Sequence, residues 1–434
     1  MVTKLLHRTS NNPMKGNPKA KWTSLIHLLS ENYLKECFRG LNKNAAPGVD
    51  GITKSEYGKN LDENVRKLHE LMMNWRYLPK PSRTAKIPKG KNKFRTLGIP
   101  TVEDRMVQLG IKRILDEVFE PLFLNLSHGF IKGRNCHGAL KAVNRCIDRN
   151  PVSYILDADI KDFFGSVDHK LLMKALEVRI SDKNFLRLIG RFLKAGIMED
   201  GKFAKTDEGT PQGGLISPVL ANIYLHYTLD VWFIRKAKSQ LKGFADLIRY
   251  ADDFVVCFQY EEDVKLFQNL LIERFSSVGL KLSMKKTRTV KFGRKPWKDW
   301  KDGGDKPDSF DFLGFTFICG TTRKGRFKVE VKTSSNRFSG KMALLNTWLK
   351  NIRNRVKLGE LWKIIRSKVR GHLEYYGVSG NSRSLNRFIF VVENLCYKWI
   401  NRRSQRKSFT WKKFSKFLKL NPLPKPRIKH SLYN

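Results

Sequence analysis

Two adjacent acids, Asp252 and Asp253, stand among apolar, β-prone residues in the run Arg249-Tyr250-Ala251-Asp252-Asp253-Phe254-Val255-Val256. Such a segment forms a hairpin that buries its flanks and presents carboxylates at its tip, which suits Mg²⁺, an ion that takes oxygen ligands and keeps several waters. An isolated Asp-Asp is also a common exposed turn. A second strand-like run, Tyr154-Ile155-Leu156-Asp157-Ala158-Asp159-Ile160, again ends in acids and is followed by Phe163-Phe164. When two such strands face each other, their carboxylates bridge two metal ions ~3.5–4 Å apart. Nucleotidyl transfer uses that arrangement to activate a primer 3′-hydroxyl and to stabilise departing pyrophosphate.

The elements that must position these acids read as a mixed α and β region. Residues 22–71 show helical spacing, broken by a Pro and Gly loop at Asn44-Ala45-Ala46-Pro47-Gly48-Val49-Asp50-Gly51. Strand-like stretches at 153–160, 247–257 and 310–317 then alternate with helices. A segment rich in Gly, Lys and Trp, 293–307, is expected to be a surface loop. From Asn336 onward, apolar residues such as Leu344, Leu345, Trp348, Leu349 and Ile352 recur at helical spacing among many Lys and Arg. The tail, 421–434, contains Pro422, Pro424 and Pro426 and is expected to be extended.

Composition narrows the partner. Across 434 residues, 84 Lys and Arg against 40 Asp and Glu give a formal charge of +44, spread along the whole chain. Nucleic acid is the polyanion that neutralises such an excess, through phosphate contacts that release counterions. No apolar run approaches the ~20 residues that span a bilayer, so no membrane partner is expected. Cys37, Cys136, Cys146, Cys257, Cys319 and Cys396 show no Cys-x-x-Cys pair, as expected of buried thiols in a reducing, cytoplasmic setting.

The ordered set of motifs resembles the bacterial group II intron reverse transcriptases, the maturases encoded within those introns, nearly end to end. It runs through Ala46-Pro47-Gly48-Val49-Asp50-Gly51, Ile87-Pro88-Lys89, Arg95-Thr96-Leu97-Gly98-Ile99-Pro100 and Gly129-Phe130-Ile131-Lys132-Gly133-Arg134. After the Asp159 strand come Gly209-Thr210-Pro211-Gln212-Gly213-Gly214, the run Tyr250 to Asp253, and Phe312-Leu313-Gly314-Phe315. The resemblance implies an α+β right-hand polymerase fold followed by an α-helical thumb and maturase domain. It divides the chain into an N-terminal helical extension with a fingers loop (1–80), fingers and palm (81–330), and thumb and maturase with a basic tail (331–434).

Carried over position by position, the resemblance makes Asp159 and Asp252 the principal ligands of two Mg²⁺ ions, with Asp253 beside them and the Ile160 carbonyl as a further oxygen; Asp157 matches no ligand position. Phe164 falls where the family places an aromatic that meets a ribose 2′-hydroxyl and so favours dNTPs, although a Phe there also reads as core. Lys89 and Arg95 match the cations that hold the triphosphate, with Lys86, Lys91 and Lys93 competing for the Lys89 role, and Gln212 matches a residue beside nucleotide and primer end. Lys286, in Gly279-Leu280-Lys281-Leu282-Ser283-Met284-Lys285-Lys286-Thr287, matches a contact to template or primer phosphate, though a solvated Lys cluster fits as well. Gly314 matches the primer-supporting strand. Arg134, and in the thumb and maturase part Arg370, Tyr375, Tyr376, Arg402, Arg403 and Arg406, are the expected nucleic-acid contacts, suited to phosphate and to stacking on unpaired bases.

The partners implied are the intron RNA, an RNA template with a DNA primer, target DNA and dNTPs, within a cytoplasmic ribonucleoprotein. The sequence stops at Asn434, short of the His and Cys-containing endonuclease many relatives carry, so second-strand nicking is not expected of it. Two other readings fit the same residues: a domesticated reverse transcriptase of defence or repair, and an RNA-binding splicing factor without synthesis. Intact Asp159 and Asp252 argue against the last.

Overall fold

The computed structural model describes residues 21–90, 93–199, 202–204, 209, 213–403 and 409–433. The strands that carry Asp159 and Asp253 lie in a four-stranded antiparallel sheet of order β6-β7-β3-β8, with β3 Tyr154–Asp159, β6 Ala245–Tyr250, β7 Asp253–Phe258 and β8 Arg288–Lys291. Alternation of period two sorts its side chains onto two faces. Leu156, Ala158, Leu247, Phe254, Val256 and Phe258 enter one core with the helices of the first half of the chain. Ile155, Ile248, Val255, Cys257 and Val290 enter a second core, shared with the helix Cys136–Arg149 and the C-terminal helices. By the same parity Asp157, Asp159 and Asp253 lie on the second face.

A hairpin of β1 (Ser82–Gly90) and β2 (Lys93–Ile99) continues through β4 (Ile197–Glu199) into β5 (Lys202–Ala204). The Ala46 to Gly51 loop docks at its base. There Arg83 donates to the Pro47 carbonyl at 2.8 and 3.1 Å, Arg105 donates to that of Ala46 at 2.8 Å, and a Cβ on Gly48 would stand 2.7 Å from Thr101 backbone. Either side of this loop are helices Glu31–Gly40 and Leu61–Met73, as the spacing in 22–71 predicts.

Two expectations are corrected. Residues 310–317 are not one strand: β9 (Ser309–Phe312) turns back at Leu313 and Gly314 into β10 (Phe315–Thr321), which pairs with β11 (Phe327–Thr333). The left-handed backbone of Leu313 (φ 50°) and Gly314 (φ 80°) makes that turn. The segment 293–307 is not all loop, since Arg294–Lys301 is helical. Pro296 sits in its first turn, where proline is tolerated, Lys295 pairs with Asp299 at 2.7 Å, and Trp297 packs on Phe327 while donating to Thr321.

The C-terminal region is helical over Ser335–Ile352, Leu358–Tyr376, Ser382–Ile400 and Trp411–Leu420. The segment that follows is extended, as its prolines require. It is tied back by Lys429 N–H to the Gly377 carbonyl (2.7 Å) and by the Asn144 amide to the Leu432 carbonyl (2.9 Å). Among the described residues no helix is long and apolar enough to cross a membrane, and five of the six free thiols are buried.

Candidate active site

The sheet sets the candidate carboxylates by register. Asp159, the last residue of β3, lies directly opposite Asp253, the first residue of β7, and Asp252 occupies the adjoining hairpin turn. Three carboxylates thus gather at one end of the sheet. Burial, then the charges of Asp157, Asp252 and Asp159, push the Asp253 carboxyl up to about 7; Arg337, from the helix Ser335–Ile352, pulls the other way. Burial also raises Asp157, although Arg288 approaches it at 3.3 Å.

Beyond β3 the chain bridges antiparallel to Leu282: Ser283 N–H bonds the Asp159 carbonyl and Lys161 N–H bonds that of Lys281, both at 2.8 Å. In such a bridge the central residue's own carbonyl points away from its partner strand, so the Ile160 carbonyl faces the Asp252 side. The donors at this end of the sheet are all oxygens, and they are crowded with like charge, which fits a hard divalent cation. Among the described residues no group of three or more His, Cys, Asp or Glu side chains is arranged to hold a metal ion by itself. Mg²⁺ does not need one, since it keeps waters and takes substrate phosphate oxygens.

Lys286 is ion-paired to Asp159, its Nζ 2.5 Å from Oδ2. Phe164 is half-buried against the first core in a short helical turn, Phe163–Gly165, which follows Asp162 in the left-handed region (φ 42°). Gly209 lies against this turn and Gly213 against the β1-β2 hairpin. A Cβ on Gly209 would meet the Phe164 carbonyl at 2.7 Å, and one on Gly213 would meet that of Gly98 at 2.4 Å. Gln212 and Arg406 are outside the described residues. Lys89 and Arg95 belong by backbone to β1 and β2, and their side chains are outside what is described.

Several expected nucleic-acid contacts are engaged within the protein. Arg134 donates to the carbonyls of Phe123, Leu124 and Ser127 at 2.5–2.9 Å. Tyr375 donates to the Leu313 carbonyl at 2.9 Å, and Tyr376 is buried with its hydroxyl 3.2 Å from where a Gly314 Cβ would stand. Arg403 donates to the carbonyls of Arg353 and Val356. Arg370 and Arg402 are exposed, the latter with its guanidinium over the Trp399 ring.

Sequence reasoning missed Arg249. It is fully buried on β6 and ion-paired to the equally buried Asp230 at 2.5 Å, with Asn222 beside them. Its signal is a charge at a strand position whose neighbours of like parity, Ala245 and Leu247, are core. Asn222, His226 and Asp230, four residues apart in an otherwise apolar helix, are the matching one.

Residues 86–317 match the family of reverse transcriptases (RNA-dependent DNA polymerases). Group II intron-encoded protein LtrA of Lactococcus lactis subsp. cremoris is 27% identical over 486 residues, covering 91% of this chain and 77% of that protein. Protein YkfC of Escherichia coli (strain K12) is 31% identical over 349 residues, 72% of this chain and 87% of its own. The chain belongs to the reverse transcriptases, within the group II intron-encoded lineage. It is an RNA-directed DNA polymerase of mixed α and β fold, in a family that generally uses divalent metals.

Proposed function

We propose that the protein copies RNA into cDNA at the Asp159 and Asp252 site with two Mg²⁺ ions, and that it binds an intron RNA to assist splicing and retromobility at target DNA. The observation that carries the first part is the register pairing of Asp159 with Asp253 beside Asp252 in the turn. Bound Mg²⁺ supplies activation of the primer hydroxyl and stabilisation of the leaving pyrophosphate. Asp159, Asp252 and the Ile160 carbonyl hold the ions, with Asp253 adjoining them. Phe164 limits room for a ribose 2′-hydroxyl, while Lys89, Arg95 and Gln212 hold the dNTP. Lys286 meets primer or template phosphate from beside Asp159, to which it is already paired.

Residues 1–80, 81–330 and 331–434 serve as extension, fingers with palm, and thumb with maturase. In the last, exposed Arg370 and Arg402 contact intron RNA in a ribonucleoprotein, while Gly314, Tyr375 and Tyr376 support the primer end through the β9-β10 turn. Splicing chemistry belongs to the RNA, and the protein stabilises the folded intron by binding it.

Primer extension on an RNA template with dNTPs and Mg²⁺ tests the catalytic assignment. Asp252→Ala is expected to lose about a thousandfold in rate or more, since a metal contact contributes several kcal/mol to the transition state. A folded Asp252→Ala protein with wild-type extension overturns it. Arg370→Ala with Arg402→Ala is expected to weaken intron RNA binding and splicing while sparing extension.

A further inference from the structure

We propose that Asn222, Asp230 and Arg249 form a positioning network that sets the angle of the Ala251-Asp252 turn, and that a widened helical turn brings Asp230 into it. The proposal rests on Asp252 being a metal ligand. None of the three side chains is placed among the reacting groups, so they act through the turn.

Arg249 uses every edge of its guanidinium. Nε and one Nη donate to the two Asp230 oxygens at 2.8 and 2.5 Å, and the other Nη donates to Asn222 Oδ1 (3.0 Å) and to the Ala251 carbonyl (2.9 Å). Ala251 has φ 57°, a conformation disfavoured for a residue with a Cβ. It is gripped from two sides. The guanidinium holds its carbonyl, and Gly129 lies so close that a Cβ there would stand 2.5 Å from Ala251 N. Asn222 joins the two grips, because its amide nitrogen donates to the Gly129 carbonyl at 2.6 Å.

Helix geometry explains how Asn222 and Asp230 reach one guanidinium. In an unbroken α-helix eight residues turn through ~800°, leaving the two about 80° apart. The helix is α over Ser217–Leu225 and then π over His226–Asp230, where Val231 N–H bonds the His226 carbonyl. That wide turn absorbs one extra residue, so the remaining seven steps turn ~700°, about 20° from two full turns, and both side chains return to one face. The bulge is braced from outside. An α-helix would pair the Tyr227 carbonyl with Val231 N–H; here the carbonyls of Tyr227 and Thr228 accept from Arg274 at 3.3 and 2.9 Å.

The paired variant Arg249→Met with Asp230→Leu tests this, since it removes both buried charges together and such exchanges are tolerated by folds. In the folded variant, kcat for primer extension is expected to fall about a hundredfold, as misplacement near 1 Å does. KM for dNTP is expected within about twofold, the split that marks loss of transition-state positioning. Mn²⁺ affinity, read by electron paramagnetic resonance without substrate, is expected to weaken. Arg249→Lys retains a charge pair but not the fork, and its kcat is expected to stay low. Wild-type kcat and Mn²⁺ affinity in the folded paired variant overturn the proposal; if that variant does not fold, the same result in Arg249→Lys overturns it. Active Asp252→Ala protein would instead sink the assignment of the metal site.

Discussion

Two hairpin tips of this polymerase, β6-β7 and β9-β10, are held by opposite means. The β6-β7 tip carries Ala251 in the left-handed region and is fixed by a buried charge network. The β9-β10 tip carries Leu313 and Gly314 there and rests on aromatic rings. Phe315 stacks on Tyr375 with centroids 5.6 Å apart and lies 5.0 Å from Tyr376, with one hydrogen bond from Tyr375 to the Leu313 carbonyl. Buried charge is directional and unforgiving, because a lost partner leaves an uncompensated ion. Ring packing is worth comparable burial but tolerates sliding. The first suits the metal-holding role proposed for the β6-β7 tip, and the second the primer-supporting role proposed for the β9-β10 tip.

Glycine substitutions test the contrast most strongly. Gly129→Ala places a Cβ against Ala251 backbone at 2.5 Å, where nothing flexible can give way. It is expected to lower single-turnover extension about a hundredfold. Gly314→Ala meets only side chains, the Tyr376 hydroxyl at 3.2 Å and Arg337 Cγ at 3.7 Å, although the left-handed backbone adds ~1–2 kcal/mol. It is expected to weaken primer-template binding about tenfold, with kcat little altered. Equal losses of kcat in the two variants would erase the contrast. Tyr375→Phe deletes the hydrogen bond to the Leu313 carbonyl, worth about 1 kcal/mol, and should shift primer-template Kd less than Gly314→Ala does.

The two tips are also unequally legible in the sequence. Acids ending two apolar runs mark Asp159, Asp252 and Asp253, because a carboxylate that closes a buried period-two run is costly to desolvate unless a turn exposes it or a cation meets it. The second tip is hidden inside Phe310, Phe312, Phe315 and Phe317. Their parity changes between 312 and 315, and that change is the trace of a two-residue turn. Taken as continuous alternation, it reads as one strand. In the helix Arg294–Lys301, Gly293 and Pro296 read as breakers, yet one precedes the helix and the other sits in its first turn. Arg249 and Asp230 are invisible as a pair because they are 19 residues apart and meet only through the π turn. Composition points to nucleic acid but cannot show which basic residues are engaged within the protein, as Arg134 and Arg403 are through donors to backbone carbonyls.

The smallest expected effect concerns the helix that supports the aromatic tip. His372 is 1% exposed, stacked on Phe388 with centroids 3.5 Å apart, and neither ring nitrogen has a hydrogen-bond partner among the described residues. Burial, then the Lys341 charge, push it down to about 3. Its ordinary value is ~6.5, so as pH falls through that range the unfolded chain binds the proton first and stability drops, down to the folded value. The stability it contributes is therefore present above about pH 6.5 and lost on the way to pH 3. A ring that makes no hydrogen bond has little to lose by becoming apolar. His372→Phe is expected to change stability at pH 7 by less than about 1.5 kcal/mol, and to gain on wild type as the pH is lowered. Denaturant melts at pH 7 and pH 5 measure both. Parallel curves for the two proteins would mean that His372 carries a proton in the folded protein, and that the platform beneath the β9-β10 tip contains a buried charge after all.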